Sequence, residues 1–266
     1  MEQIEKVTKR KRSGYTLVLT SGRKLFVSED VFVRYRLLKG KELEETLIKE
    51  IEETSALDQG YQLALNYLSY QLRSEKEIRK YLLEKEIPSF MIGPVIEKLR
   101  EIRLVDDQVY AESYVRTMIR TSDKGPAVVM QQLRKKGIEE QTSAEALLLY
   151  TNDSQQENAT ALAKKLEKRY RQKSHQEKLN KMKQGLMLKG FKQEIIQAAL
   201  ASISVEKDSQ QEAELLEQLG DKLWERNVRL DLPKRKQKVI RSLFQKGFDY
   251  ELIQQFIEKK ELEHEG

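Results

Sequence analysis

The sequence predicts a mainly α-helical protein: an elongated tandem array of three-helix repeats with a small β-rich subdomain at the N-terminus. Three observations predict it. Of 266 residues, 39% are apolar and 35% charged, with only four prolines and twelve glycines. That mixture is rich in helix formers and poor in the turn residues of an all-β protein. Second, β-rich runs gather in the first forty residues. Third, one phrase recurs four times at near-constant spacing: RKYLLEKEI (79–87), MQQLRKKGI (130–138), KQGLMLKGF (183–191) and IRSLFQKGF (240–248).

The N-terminal elements come first. YTLVL (15–19) and KLFV (24–27) flank Ser21-Gly22 as a hairpin, and Ile4–Arg12 supplies a third strand. Ser28 is an N-cap, with Glu29 and Asp30 near the positive end of a helix dipole. The helix VFVRYRLLK then stops at Gly40, and from Lys41 onward everything reads as helical. Leu43, Leu47, Ile48 and Ile51 share one face at the 3–4 spacing of a packed helix.

Further along, Ser74 with Glu77 forms a capping-box pattern, and Asp106 and Asp107 cap VYAESYVRTMIR. Pro126 and Pro233 open two of the helices that carry the phrase, where a missing N–H costs nothing. Within the phrase, Leu82, Leu133, Leu186 and Leu243 stand four residues before Glu86, Gly137, Gly190 and Gly247. Ile87, Ile138, Phe191 and Phe248 stand one residue after them. This is a helix C-terminus: glycine takes the left-handed conformation and the next apolar residue folds back on the last turn. Glu86 must bear positive φ at a cost of about 1 kcal/mol, or that helix ends differently.

An amphipathic helix precedes and follows each phrase, giving four three-helix units. In the second unit Thr142 and Ser143 stand where the other copies are apolar, so its third helix is expected to start later or sit differently. The boundaries read as 1–40 (β-meander and short helix), 41–58 (connecting helix), 59–105, 106–152, 153–206 and 207–266 (repeats one to four).

The absence of cysteine excludes disulfides and thiolate chemistry. The N-terminus lacks the apolar core of a signal peptide, and no apolar run reaches the roughly 20 residues of a membrane span, so a soluble cytoplasmic protein is expected. No phosphate loop, GxSxG, HExxH or EF-hand pattern occurs. His175 and His264 lie in polar strings and read as surface residues, and Asp106-Asp107 reads as a cap and not a metal site. Neither catalysis, a cofactor nor a metal is expected.

Binding is the stronger theme. The net charge of +6 is uneven: residues 1–40 hold ten basic and four acidic side chains, and residues 151–205 hold eleven and five. Such segregation suits a polyanion touched at more than one place. Between Lys164 and Lys183, nine basic residues face two acidic ones, and Lys164, Lys168, Arg169 and Arg171 surround Tyr170, mixing charge with a stacking surface. A second cluster is Lys234, Arg235, Lys236, Lys238 and Arg241. Arg134, Lys135 and Lys136 end the equivalent helix of repeat two, where they also complement its dipole; Lys124 precedes that helix.

LALNYLSYQLRSEKEIRKYLLEK and KLREIRLVDDQVYAESYVRTMIRTSDKGPAVVMQQLRKKGI resemble the RecX family, bacterial regulators of the RecA recombinase. The Leu104–Asp107 junction, Tyr110-Ala111 and Lys124-Gly125-Pro126 carry the likeness, which is strict over about residues 61–140. The repeat extends it to the C-terminus, and the β-rich start resembles the extension of longer Gram-positive members. The resemblance implies a monomeric, non-enzymatic inhibitor that binds in the groove of the RecA–DNA filament. It implies that growth is blocked or disassembly favoured, so that recombination, DNA repair and the SOS response are modulated. RecA and single- or double-stranded DNA are then the partners. The alternative from the residues is a DNA- or RNA-binding helical repeat protein with no recombinase partner.

Overall fold

The computed structural model describes residues 1–10, 14–203 and 208–265. It begins with four antiparallel strands, β1 (Glu2–Lys9), β2 (Tyr15–Leu19), β3 (Lys24–Val27) and β4 (Glu42–Leu43), ordered β3-β2-β1-β4. The meander is the one expected, with β1 as the third strand; Lys11 and Arg12 lie outside the described residues. Helix α1 (Glu29–Arg34) starts at Ser28, whose Oγ accepts the Val31 N–H and donates to Asp58 at 2.9 Å. It is shorter than the sequence suggests. Arg36 already has φ 48°, and the chain turns at Gly40 (φ 89°) into β4, which pairs with Glu2 and Gln3. The expectation of helix from Lys41 onward is corrected here: two residues complete the sheet first.

Helix α2 (Glu45–Leu68) runs unbroken for 24 residues, through residue 58. It serves two cores. Ile48 and Ile51 close the sheet's inner face with Leu17, Leu19, Leu25, Leu37 and Leu43. Its later turns pack by way of Ala64 against Ile78, Leu82, Val95 and Ile96. A Cβ on Gly60 would sit 2.9 Å from Val95, so glycine lets the helices approach there.

The remaining helices are α3 (Glu75–Glu84) and α4 (Ser89–Glu101) of repeat one, then α5 (Asp107–Thr121), α6 (Pro126–Lys135) and α7 (Glu140–Leu147). Repeat three is α8 (Asn152–Arg169), α9 (His175–Leu188) and α10 (Gln193–Ser202); repeat four is α11 (Ser209–Arg226), α12 (Leu232–Gln245) and α13 (Tyr250–Glu265). Helix α7 begins three residues after its turn residue, as α4, α10 and α13 do, so the third helix of the second unit does not start late. Ser143 occupies, fully buried, the place held by Ile92, Ile196 and Ile253. The chain forms two compact units, 1–114 with 132–146, and 115–131 with 147–266.

The four phrases end their helices identically. In each, the N–H after the turn donates to the leucine carbonyl five residues back: Ile87 to Leu82, Ile138 to Leu133, Phe191 to Leu186 and Phe248 to Leu243. The turn residue has positive φ in every copy, 88°, 87° and 82° at Gly137, Gly190 and Gly247, and 62° at Glu86. These bonds satisfy carbonyls that a helix end otherwise leaves unpaired.

Candidate filament and nucleic-acid interface

Each glycine turn is also a junction. It is pressed onto the N-terminus of the second helix of the preceding repeat. Ser74, the N-cap of α3, accepts from Glu77 N–H and donates through Oγ to the Lys136 carbonyl at 2.7 Å. Ser174, the N-cap of α9, accepts from Glu177 N–H and donates to the Lys246 carbonyl. At the middle junction no serine is present; Gly125 N–H donates directly to the Lys189 carbonyl at 2.7 Å. A Cβ would meet Lys76 at 2.5 Å from Gly137, Val128 N at 2.6 Å from Gly190, and Gln176 at 2.9 Å from Gly247. Glu86 belongs to the first repeat and is exposed, so it needs only the positive φ.

A carboxylate from the next repeat completes two of these junctions. Asp107 accepts the Glu75 N–H at 2.9 Å, and Glu212 accepts the His175 N–H at 2.9 and 3.2 Å. Each caps a helix N-terminus from outside. Asp106 caps its own helix, accepting from Gln108 and Val109 N–H. Burial pushes the Asp107 carboxyl up, partly offset by the Glu75 N–H.

Around the first junction lies a polar cluster. Lys136 Nζ pairs with Glu77 at 2.8 Å and sits 5.6 Å from the ring centres of Tyr110 and Tyr114. Burial opposes ionisation of both partners. The Lys136 ammonium and the Ser74 N–H nonetheless hold Glu77 below its ordinary range, and Glu77 and Tyr110 raise Lys136.

These contacts sort the predicted basic residues. Lys136 is committed to the fold, and Arg235 is buried, donating through Nε to the Trp224 carbonyl at 2.8 Å with its guanidinium over the indole. Both leave the candidate surface, because their charge is already satisfied inside. Lys124 is half-buried, and its carbonyl accepts from Tyr150 Oη at 3.0 Å. Arg134 pairs with Glu140, Lys236 with Glu261, and Lys234 with Asp231 at 3.5 Å. Lys135, Lys238 and Arg241 are exposed without an ion pair among the described residues.

The cluster on repeat three stays open. Lys164, Lys165, Lys168 and Arg169 occupy the face of α8 opposite buried Ala159, Leu162, Ala163 and Leu166, at i, i+1, i+4 and i+5. Arg171 follows just past the helix end; all five are exposed, and none makes an ion pair among the described residues. Tyr170 is half-buried, with the Arg169 guanidinium 5.7 Å and the Lys181 ammonium 6.0 Å from its ring centre. The dipole of α8 is favourable to such a terminus but does not neutralise it.

The Ser174 junction escaped the sequence reading, although S-x-x-E stands in KSHQEK as it does at Ser74. Glu212 gave no signal at all, since only the fold brings it to His175. The side chain of His264 lies outside the described residues. Among the described residues no helix is long and apolar enough to cross a membrane, and no group of three or more potential metal-ligating side chains forms.

Comparison with known proteins agrees with this architecture. Residues 61–99 match the first three-helix domain of RecX, residues 106–147 the second, and residues 153–200 and 210–257 each match the third. The chain is 54% identical to the regulatory protein RecX of Enterococcus faecalis, with all of both chains covered. It is 40% identical to that of Levilactobacillus brevis over 97% of each. A crystal structure of regulatory protein RecX superposes with a TM-score of 0.61 at 41% identity, over 74% of this chain and 98% of the other. That of RecX from Lactobacillus salivarius gives 0.54 at 44%, over 57% and 99%. With three-helix domains in register from residue 61 to residue 257, the chain belongs to the RecX family.

Proposed function

We propose that the protein is a negative regulator of the RecA recombinase, a cytoplasmic monomer that binds in the groove of the RecA–DNA filament without catalysis or cofactor. It blocks filament extension or promotes disassembly, and so modulates recombination, DNA repair and the SOS response. Family membership supports the recombinase as target. The observation that carries the contact is the unneutralised set Lys164, Lys168, Arg169 and Arg171, held on a helix whose inner face is fully engaged. Repeats joined in one chain add avidity without requiring any single patch to bind tightly.

The test is RecA's DNA-dependent ATPase with and without substoichiometric protein, beside a direct DNA titration. Inhibition should weaken when Lys164, Lys168, Arg169 and Arg171 are reversed to glutamate, with helicity intact. Unchanged inhibition removes that cluster from the contact. Tight, salt-steep binding to bare DNA with no effect on RecA would instead identify a nucleic-acid-binding repeat protein with no recombinase partner.

A further inference from the structure

The N-terminal sheet has an outer face that neither the helical repeats nor the proposed function uses. Its inner rows, Val7–Leu17–Leu25 and Lys9–Tyr15–Val27, turn Leu17, Leu25 and Val27 into the core. Side chains alternate along strands, so the intervening rows face outward. One is Lys6–Val18–Lys24 and the next is Thr8–Thr16–Phe26. Phe26 is 56% exposed and stands on the edge strand β3, at the end of its row. The Arg10 guanidinium lies 5.0 Å from its ring centre.

A phenylalanine left open on a strand costs the hydrophobic stabilisation that burial would give it. The surrounding charge indicates what covers it. Lys6, Arg10 and Lys24 are exposed and make no ion pair among the described residues. Neither outward row contains an acid. Glu5, the extra residue at the irregularity between Ile4 and Lys6, is the nearest carboxylate in sequence, and Glu2 is engaged by Ser21. The lysine row and the phenylalanine row are two residues apart, about 7 Å along the strands. An aromatic ring flanked by cations on a sheet face is the arrangement that stacks an unpaired base and holds its phosphates. Bases inside a duplex are already stacked and cannot use the ring.

We propose that this face is a second, separate binding site for single-stranded DNA, with Phe26 stacking a base and Lys6, Arg10 and Lys24 contacting the backbone. The choice of DNA over RNA rests on the function proposed above; the stacking chemistry does not. The full chain is titrated into a fluorescent oligothymidylate of about 16 nucleotides, a length suited to one binding module. Phe26→Ala should weaken binding about tenfold, the loss of one stacked base, whereas Phe26→Tyr should bind like the parent. Lys6→Glu with Lys24→Glu should weaken it by a similar factor and flatten the salt dependence. An oligomer carrying 5-bromodeoxyuridine should crosslink to the peptide containing Lys24–Val27. Phe26 is exposed, so its replacement leaves the core intact, and circular dichroism checks this.

F26A binding within twofold of the parent, or adducts confined to the helical repeats, would overturn the site. So would a concentration-dependent dimer abolished by F26A without DNA, since a second copy would then cover the ring. Tighter, Phe26-dependent binding of oligouridylate would overturn the assignment to DNA. RecA inhibition is read separately through the α8 cluster, so the two proposals fail independently.

Discussion

The N–H of Gly125 donates to the carbonyl of Lys189 at 2.7 Å, so the start of one repeat's second helix is hydrogen-bonded to the glycine turn of the next. Ser74 with Lys136 and Ser174 with Lys246 make the equivalent connection through a serine hydroxyl. The repeated phrase is thus both a helix stop and the surface on which the preceding repeat sits.

Glycine is required at the turn for two reasons, and these separate by mutation. Gly190→Ala adds a methyl where Val128 N would lie 2.6 Å away, at a φ of 87°. It should destabilise the protein by about 2–4 kcal/mol. Glu86→Gly removes only the conformational strain and should stabilise by about 0.5–1 kcal/mol. Thermal melts of the two variants, shifted in opposite directions, check the pair.

Ser74 and Ser174 each cap a helix and bridge to another repeat while buried. Ser→Ala at either site should cost about 1–3 kcal/mol, the cap plus an unpaired buried carbonyl. Hydrogen exchange should show the loss at Glu77 or Glu177 N–H first.

Glu77 is held below its ordinary value of 4.5 by Lys136 and the Ser74 N–H, against the opposing effect of burial. A depressed carboxyl stabilises the folded state fully above the unfolded value and loses that contribution as pH falls through the folded one. At pH 7 the parent should therefore exceed Glu77→Gln by about 1–2 kcal/mol. Urea melts across the acid range should show this gap closing as pH falls; a constant gap would refute the ion pair's role.

Ser143 is fully buried and its hydroxyl has no hydrogen-bond partner among the described residues. Ser143→Ala should raise stability by about 1 kcal/mol by removing an unpaired polar group. A lower melting temperature would mean that the hydroxyl is satisfied.

Nucleic-acid binding through α8 should be strongly salt-dependent. Neutralising Lys164, Lys168, Arg169 and Arg171 to alanine should lower the log–log salt slope for single strands by up to about 3. Arg235→Met should leave that slope unchanged, because Arg235 already faces Trp224.

Much of this was legible in the chain. Helix ends follow from local chemistry, so the leucine and the apolar residue of each phrase located four turns, and the glycine of three of them gave the backbone geometry as well. Strand alternation likewise showed the hairpin. The short strand at Glu42–Leu43 was not legible, because two residues have no periodicity and their partners are forty residues away. Nor was the continuity of α2, since both halves are helical on any reading and only the two cores show one helix serving both.

What the sequence by itself determined is the repeat: its length, its helix stops and the apolar face of each helix, all set by interactions within a few residues. Tertiary structure alone decided which charges are spent. Lys164 and Arg235 look alike in composition, yet one faces solvent and the other lies against Trp224. A side chain's free charge depends on what distant segments bring to it, and no local pattern encodes that.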